Sequence, residues 1–156
     1  MAEHSNIARV VDYTCLVAAS IDGVVAIAGA GQDFYDDPFR PGYKILAHAD
    51  RAKVAGLHVT NLPEAPALRW LTQDGIVELT WHLPMRFYLD GNDPISTRMQ
   101  VLPMYDRYLR AFIREHTLGD LVLRTQLTSF KMGEDSDWAW LQVELLAVEQ
   151  VNYSVD

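Results

Sequence analysis

The most regular pattern in the chain is an alternation of apolar and polar side chains from Val77 to Leu89. The odd positions are all apolar, whereas the even positions carry Glu, Thr, His, Pro, Arg and Tyr. Side chains of a strand point to opposite faces in turn, so this pattern predicts a strand with one buried face. Pro84 falls on the polar face, and because proline has no N–H, we expect a bulge or an unpaired edge there.

The sequence predicts two hairpins. Before the alternating strand, Leu68 to Thr72 favours a strand, and Gln73-Asp74-Gly75 is typical of the turn that joins hairpin strands. Towards the C-terminus, strands are predicted from Leu121 to Met132 and from Trp138 to Val151, with a polar, acidic turn between them.

Apolar residues at helical spacing near the N-terminus predict a first helix from about Asn6 to Ser20, with Ser5 as its N-cap. Asp22-Gly23 is expected to end this helix. A short strand is then predicted from Val24 to Ala28.

A second helix is predicted to begin near Arg98, because Thr97 and Gln100 have capping-box spacing. Pro103 either kinks this helix or marks its first turn. The helix is expected to end at Leu118-Gly119-Asp120. Its apolar stripe comprises Tyr105, Tyr108, Leu109, Phe112, Ile113 and His116.

The stretch from Gly29 to Leu57 shows no clear periodicity. It contains the turn signals Asp36-Asp37-Pro38 and Arg40-Pro41-Gly42, with aromatic residues scattered between them. A short helix is expected within Lys44 to Ala55. Long loops are uncommon in compact domains and are often functional, so we interpret residues 29–57 as an extended excursion that makes an assembly contact.

Together these elements predict an α+β fold in which an antiparallel or mixed sheet of hairpins packs against two main helices. The chain has 156 residues, and no repeat or linker divides it. We therefore expect residues 1–156 to form a single α+β domain.

Composition restricts the possible partners. The formal net charge is -8, which disfavours binding to a nucleic-acid backbone, so no sequence-specific nucleic acid is expected. The longest apolar stretch, Leu16 to Ala30, is interrupted at Asp22-Gly23 and is shorter than the roughly 20 residues of a membrane span. The single cysteine, Cys15, lies in an apolar run and is expected to be a buried, inert thiol.

No local motif for catalysis, cofactor binding or metal binding occurs. Gly29-Ala30-Gly31 lacks the following lysine of a phosphate-binding loop, and there is no Gly-x-Ser-x-Gly elbow. No two of the five histidines lie three or four residues apart, and the acidic turns do not match a calcium loop. We therefore predict a non-enzymatic protein with no catalytic, cofactor-binding or metal-binding residues.

Three features are unusual for a protein that acts as a monomer. They are the excursion at 29–57, the two tryptophans Trp138 and Trp140 on the more polar face of the last strand, and the edge implied by Pro84. Apolar groups on a polar face and open strand edges often mark interfaces. These features favour a subunit of a ring or stack, unless the long segment folds back and covers them within one chain.

The order of the elements resembles that of the tail terminator proteins, the neck or tail-completion proteins of long-tailed bacteriophages. The similarity spans Ser5 to Tyr153 and centres on the Asp74-Gly75 turn, the strand at 77–89 and the helix from Tyr105 to Ile113. It implies a structural virion protein, assembled in the host cytoplasm, that forms a ring, expected to be a hexamer. The ring would cap the tail tube and join it to the head connector, with DNA passing through the lumen.

This resemblance suggests roles for charged and aromatic residues. Those expected to face the lumen or a partner ring are Asp33, Asp36, Asp37, Glu134, Asp135 and Asp137. Those expected at a subunit interface are Pro84, Arg107, Arg110, Arg114, Trp138 and Trp140. Acidic groups would keep passing DNA from adhering. The arginines would pair with an acidic neighbouring subunit or form a solvated helix flank.

Two alternatives stay open. One is another head–tail adaptor or completion ring of the same kind of machine. The other is a small α+β ligand-binding domain or enzyme, whose pocket would be lined by Trp81, Met85, Phe87 and Tyr105. Those four residues are more simply explained as the core between sheet and helix.

Overall fold

The structure, a computed structural model, describes residues 2–24, 26–28, 34–36, 44–46, 56–90, 94–134 and 138–154. The helices of this part of the chain are α1 (Ile7–Ala19) and α2 (Pro94–Arg114). The strands are β1 (Ala26–Ala28), β2 (Phe34–Asp36), β3 (Lys44–Leu46), β4 (Leu57–Thr60), β5 (Ala67–Trp70), β6 (Ile76–Asp90), β7 (Arg124–Glu134) and β8 (Trp138–Asn152).

Six of these strands form one sheet in the order β1-β4-β6-β8-β7, with β5 pairing with β6 beside β4. The β1–β4 pair is parallel and the other pairs of this sheet are antiparallel. The long strands β6 and β8 pair over their full length and form the centre. The predicted α+β class, with a sheet of hairpins and two main helices, is confirmed.

Both helices pack on the face of the sheet formed by the odd positions of β6 and β8. On this face Leu83, Met85 and Phe87 are buried, as the alternation predicted. The side chains that meet them from the rest of the fold are Val10, Val11 and Val17 of α1, Val101, Met104, Tyr108 and Phe112 of α2, and Ala139, Leu141, Val143, Leu145 and Ala147 of β8. The core therefore lies between one sheet face and the two helices.

The sequence predicted a bulge or an unpaired edge at Pro84, and of these two the bulge is wrong. Pro84 pairs with Glu144 of β8 within an unbroken register. On the other side of β6, β5 pairs with residues 77–80 and β4 with residues 85–88, which leaves a gap in the pairing between them. Residues 61–64 cross this gap. The N–H groups of Asn61 and Glu64 donate to the carbonyls of Pro84 and His82, each at 3.0 Å. The missing N–H of proline is tolerated because it faces a gap in the ladder, and the chain itself covers that gap.

Helix α2 begins earlier than the capping-box spacing indicated. It starts at Pro94, which suits the first helical turn because its φ is fixed and that turn needs no N–H. Pro103 lies inside the helix and not in its first turn. The helix ends at Arg114, ahead of the predicted stop, and Leu118, Gly119 and Asp120 follow with φ of 47, 64 and 64°.

Helix α1 agrees with its prediction to within one residue at each end, but Asn6 is the N-cap instead of Ser5 and makes no side-chain cap bond. The Ile7 N–H donates to the Ser5 hydroxyl at 3.2 Å, and a carboxylate from β8 holds this end of the helix. Glu149, which is buried, accepts hydrogen bonds from the Asn6 N–H at 3.0 Å and from the Ser5 hydroxyl. The indole Nε1 of Trp81 donates to the same carboxylate at 3.0 Å. The N-terminus of α1 is thus tied to the sheet by an acid that is distant in sequence.

The excursion at 29–57 is only partly described. Residues 44–46 form β3, which pairs with β2, so the helix predicted within Lys44 to Ala55 is wrong there. Residues 47–55 lie outside the described part of the chain. The strand Leu57–Thr60 was not predicted, although His58, Val59 and Thr60 favour extended structure.

Candidate assembly surfaces

A groove runs between the C-terminal half of α2 and strand β7. It has a volume of about 420 Å³. Its lining includes Leu109, Phe112, Ile113, His116, Thr125 and Leu127. One end of the groove is fixed by Thr125, whose backbone N–H and hydroxyl donate to the carbonyl of His116 at 2.6 and 3.0 Å. The groove is therefore a formed, largely apolar depression.

A bulge in β7 determines which of its side chains face the helices. The pairing with β8 shifts by one residue between Leu127 and Ser129. Because of this shift, Leu127 and Phe130 both point to the helix-bearing face instead of opposite faces. Phe130 meets Tyr105 of α2 edge-to-face, with ring centroids 6.2 Å apart.

The apolar stripe predicted for the second helix is only half buried. Tyr108 and Phe112 lie in the core, whereas Tyr105 and Ile113 are 46% and 68% exposed. The stripe is wider than the area that the sheet covers. Of the uncovered residues, Ile113 lines the groove.

A second apolar surface lies on the opposite edge of the sheet, at the β5–β6 hairpin. All four residues of β5 are exposed, and Leu68 and Trp70 retain 61% and 64% of their accessible surface. The turn contains Gly75 with φ of +121°, whose carbonyl accepts a hydrogen bond from Tyr153 N–H at 2.8 Å. The hairpin tip is thus held by the C-terminal end of β8 and presents Trp70 to its surroundings.

The polar face of the sheet carries a connected group of side chains. Arg86 Nε and Nη2 donate to Gln142 Oε1 at 3.1 and 2.6 Å, and Gln142 Nε2 donates to Glu144 at 2.9 Å. The guanidinium carbon of Arg86 lies 4.5 Å from the ring centroid of Trp140. Trp140, predicted at a subunit interface, is therefore half buried within its own chain; its interface role stays a prediction.

Two of the three arginines on the α2 flank have partners within the chain. Arg107 Nη1 donates to the carbonyl of Asp22 at 3.0 Å, and Arg110 pairs with Asp106 at 2.9 Å in an exposed i,i+4 pair. Arg114 is exposed at the end of the helix. Arg110 and Arg114 therefore agree with the alternative expectation of a solvated helix flank. A role of the three arginines in subunit contacts stays a prediction.

Most of the acids predicted to face the lumen or a partner ring lie outside the described residues. These are Asp33, Asp37, Asp135 and Asp137. Asp36 is in β2, opposite Lys44 of β3. Glu134 ends β7 and is exposed. The described structure does not bring these acids together into one site.

Trp138 opens β8 opposite Asp90, and its side chain lies outside the described part of the chain. Its predicted interface role therefore also stays a prediction.

The core holds a polar cluster that the sequence did not suggest. The Nδ1 and Nε2 atoms of His58 lie 2.5 Å from the Tyr108 hydroxyl and 2.7 Å from the Thr60 hydroxyl. Burial lowers the pKa of His58 to about 3 and raises the pKa of Tyr108. Burial likewise raises the pKa of the Cys15 thiol, which is therefore a poor nucleophile. The cluster is satisfied internally and reads as a core hydrogen-bond network.

Among the described residues, no group of three or more His, Cys, Asp or Glu side chains is placed to hold a metal ion. Neither of the described helices combines the length and apolar character needed to cross a bilayer. No protein-family model matches the chain, and no curated protein matches its sequence.

Proposed function

We propose that this protein is a structural subunit that assembles into a closed ring, and that the ring is a phage tail terminator. It would cap the tail tube and join it to the head connector within the virion. The observation that carries the proposal is the pair of unlike apolar surfaces, the β5–β6 hairpin and the α2–β7 groove, on opposite edges of one sheet.

The position of these surfaces determines the kind of assembly that they support. Strands β6 and β8 separate β5 from β7, so the two edges are about 14 Å apart at the usual strand spacing. Contacts between unlike patches on opposite sides of a subunit are heterologous. Such contacts close into rings when the rotation between subunits permits, and otherwise run on as filaments.

The charge of the chain fits a ring around DNA. With a formal net charge of -8, its surface would repel a passing phosphate backbone instead of retaining it. The acidic residues predicted to face the lumen would add to this repulsion.

The structure offers less support for the ligand-binding alternative. Met85 and Phe87, two of the residues expected to line its pocket, are 0% and 2% exposed and belong to the packed core. Another head–tail adaptor ring has the same structural requirements as a terminator. The two ring proteins differ in the partner that they contact.

Negative-stain imaging tests the proposal in two stages. The purified protein is expected to form closed rings with an open centre, and monomers or two-fold dimers would contradict this. Co-expression with the tail-tube protein of the same genome then separates the two ring proteins. A terminator places one ring at the end of each tube, whereas another neck ring leaves the tube ends bare.

A further inference from the structure

We infer that the β5–β6 hairpin of one copy, with Trp70 as its anchor, inserts into the α2–β7 groove of the next copy. This inference rests on the proposed ring and specifies the surfaces that build it. The occupant of the groove is thus a second copy of the same chain.

Trp70 is exposed at the edge of the subunit. It lies opposite Val77 on the helix-bearing face of the sheet, and 64% of its surface is accessible. The next residue, Leu71, is 38% exposed and extends the apolar tip. Large aromatic side chains that enter a preformed depression commonly carry most of the energy of an interface.

The groove matches this anchor in size and character. A buried tryptophan side chain removes on the order of 150–250 Å² of surface from water. The groove has a volume of about 420 Å³, which accommodates an indole ring with part of a neighbouring residue. Ile113, which is 68% exposed on the groove rim, would be covered by the incoming hairpin.

The contact joins different copies, because hairpin and groove occupy opposite edges of a continuous sheet. Extension of the sheet by strand pairing is disfavoured on the β7 side, since the bulge between Leu127 and Ser129 interrupts its edge. Insertion of Trp70 into the groove does not require strand pairing with the interrupted edge of β7.

Charge near the two surfaces is complementary. Asp74 in the hairpin turn and Glu64 before β5 are exposed acids, and Arg69 of β5 pairs with Glu78 within the hairpin. Arg114 follows Ile113 and Arg124 precedes Thr125, so exposed cations flank the groove in sequence, whereas Glu115 accepts a hydrogen bond from the Tyr13 hydroxyl of α1. Such pairing favours the head-to-tail orientation over contacts between like surfaces.

The test uses two variants that each damage one surface. Trp70→Asp removes the anchor and leaves the groove intact, whereas Ile113→Asp damages the groove and leaves the anchor intact. Each variant alone is expected to lose assembly, with a subunit dissociation constant raised roughly 30-fold or more. An equimolar mixture is expected to give a species of two chains and no larger, because only one productive contact is possible between them.

Matched controls come from exposed apolar residues elsewhere. Leu16→Asp on α1 and Met99→Asp near the start of α2 change side chains that are 66% and 63% exposed. Both are expected to keep the mass of the wild-type assembly. Urea midpoints of all four variants show whether each one folds.

The outcomes separate this contact from the ring itself. A two-chain species in the mixture supports the contact. Folded variants that keep the wild-type ring overturn the contact and leave the proposed function standing. A mixture that stays monomeric, or controls that also disassemble, overturns it too. A wild-type chain that is monomeric throughout overturns both the contact and the ring.

Discussion

The indole of Trp140 lies flat against Gly133, on the neighbouring strand. A Cβ added to Gly133 would lie 2.6 Å from Cε2 of that ring and closer still to Cζ2. The guanidinium of Arg86 lies over the same ring. Gly133 is therefore needed for its lack of a side chain, which lets Trp140 cover the backbone of β7.

Replacement of this glycine is the first prediction. Gly133→Ala is expected to destabilise the fold by about 1–3 kcal/mol, because the new methyl group displaces Trp140. Urea unfolding measures the change. In a Trp140→Ala background the same glycine substitution is expected to cost far less. An equal cost in both backgrounds would show that the indole is not the obstacle.

The fold was largely readable from the sequence because the strongest patterns belong to the centre of the sheet. Strand β6 alternates without a break, since its odd positions are buried along the strand, Leu83 to Phe87 against the helices and Val77 and Leu79 in a smaller cluster with Val151. The misreadings fall where local signals compete. The capping-box spacing of Thr97 and Gln100 points to a helix start near Arg98, whereas α2 begins at Pro94, and the buried strand Leu57–Thr60 begins where the irregular stretch 29–57 ends.

The candidate surfaces were harder to predict because they depend on tertiary position. The sequence marks Tyr105 and Ile113 as members of one apolar stripe, but only the packing of β7 shows that they stay exposed. Likewise, Trp70 lies in an ordinary hairpin strand, and its exposure follows from its place at the sheet edge. No local pattern connects it with a groove on the opposite edge.

A second prediction concerns the acid that caps α1. Glu149→Gln is expected to cost about 1.5–3 kcal/mol, because the carboxylate accepts bonds from Asn6, Ser5 and Trp81. Chemical denaturation measures the loss. Glu78→Gln is the matched control, since Glu78 pairs with the largely exposed Arg69, and its effect should stay within roughly 0.5 kcal/mol. Equal effects would rule out a special role for Glu149.

The third prediction concerns pH. His58 stays neutral in the folded chain down to a pKa of about 3, whereas in the unfolded chain it takes up a proton near pH 6.5. Its contribution to stability is therefore complete above about pH 6.5 and is lost as the pH falls, at up to about 1.4 kcal/mol per pH unit. Urea midpoints between about pH 7.5 and pH 5 should reveal this slope. The slope should disappear in His58→Asn; an unchanged slope would assign it to other groups.

The fourth prediction concerns the arginine flank of α2. Reversal of Arg107, Arg110 and Arg114 to Glu is expected to weaken assembly while the chain stays folded, because acidic neighbours would then be repelled. Arg107 also bonds the carbonyl of Asp22, so Arg107→Glu alone serves as the control for stability. Sedimentation velocity compares the assemblies. An unchanged sedimentation coefficient in the triple variant would remove the flank from the interface.

The central claim is that copies of this chain associate head to tail and close. Size exclusion coupled to light scattering, run over a concentration series, tests it most directly. The predicted result is one discrete mass, a fixed multiple above two of the 17.7 kDa chain, that does not grow with concentration. A mass of 17.7 kDa at every concentration would contradict the claim.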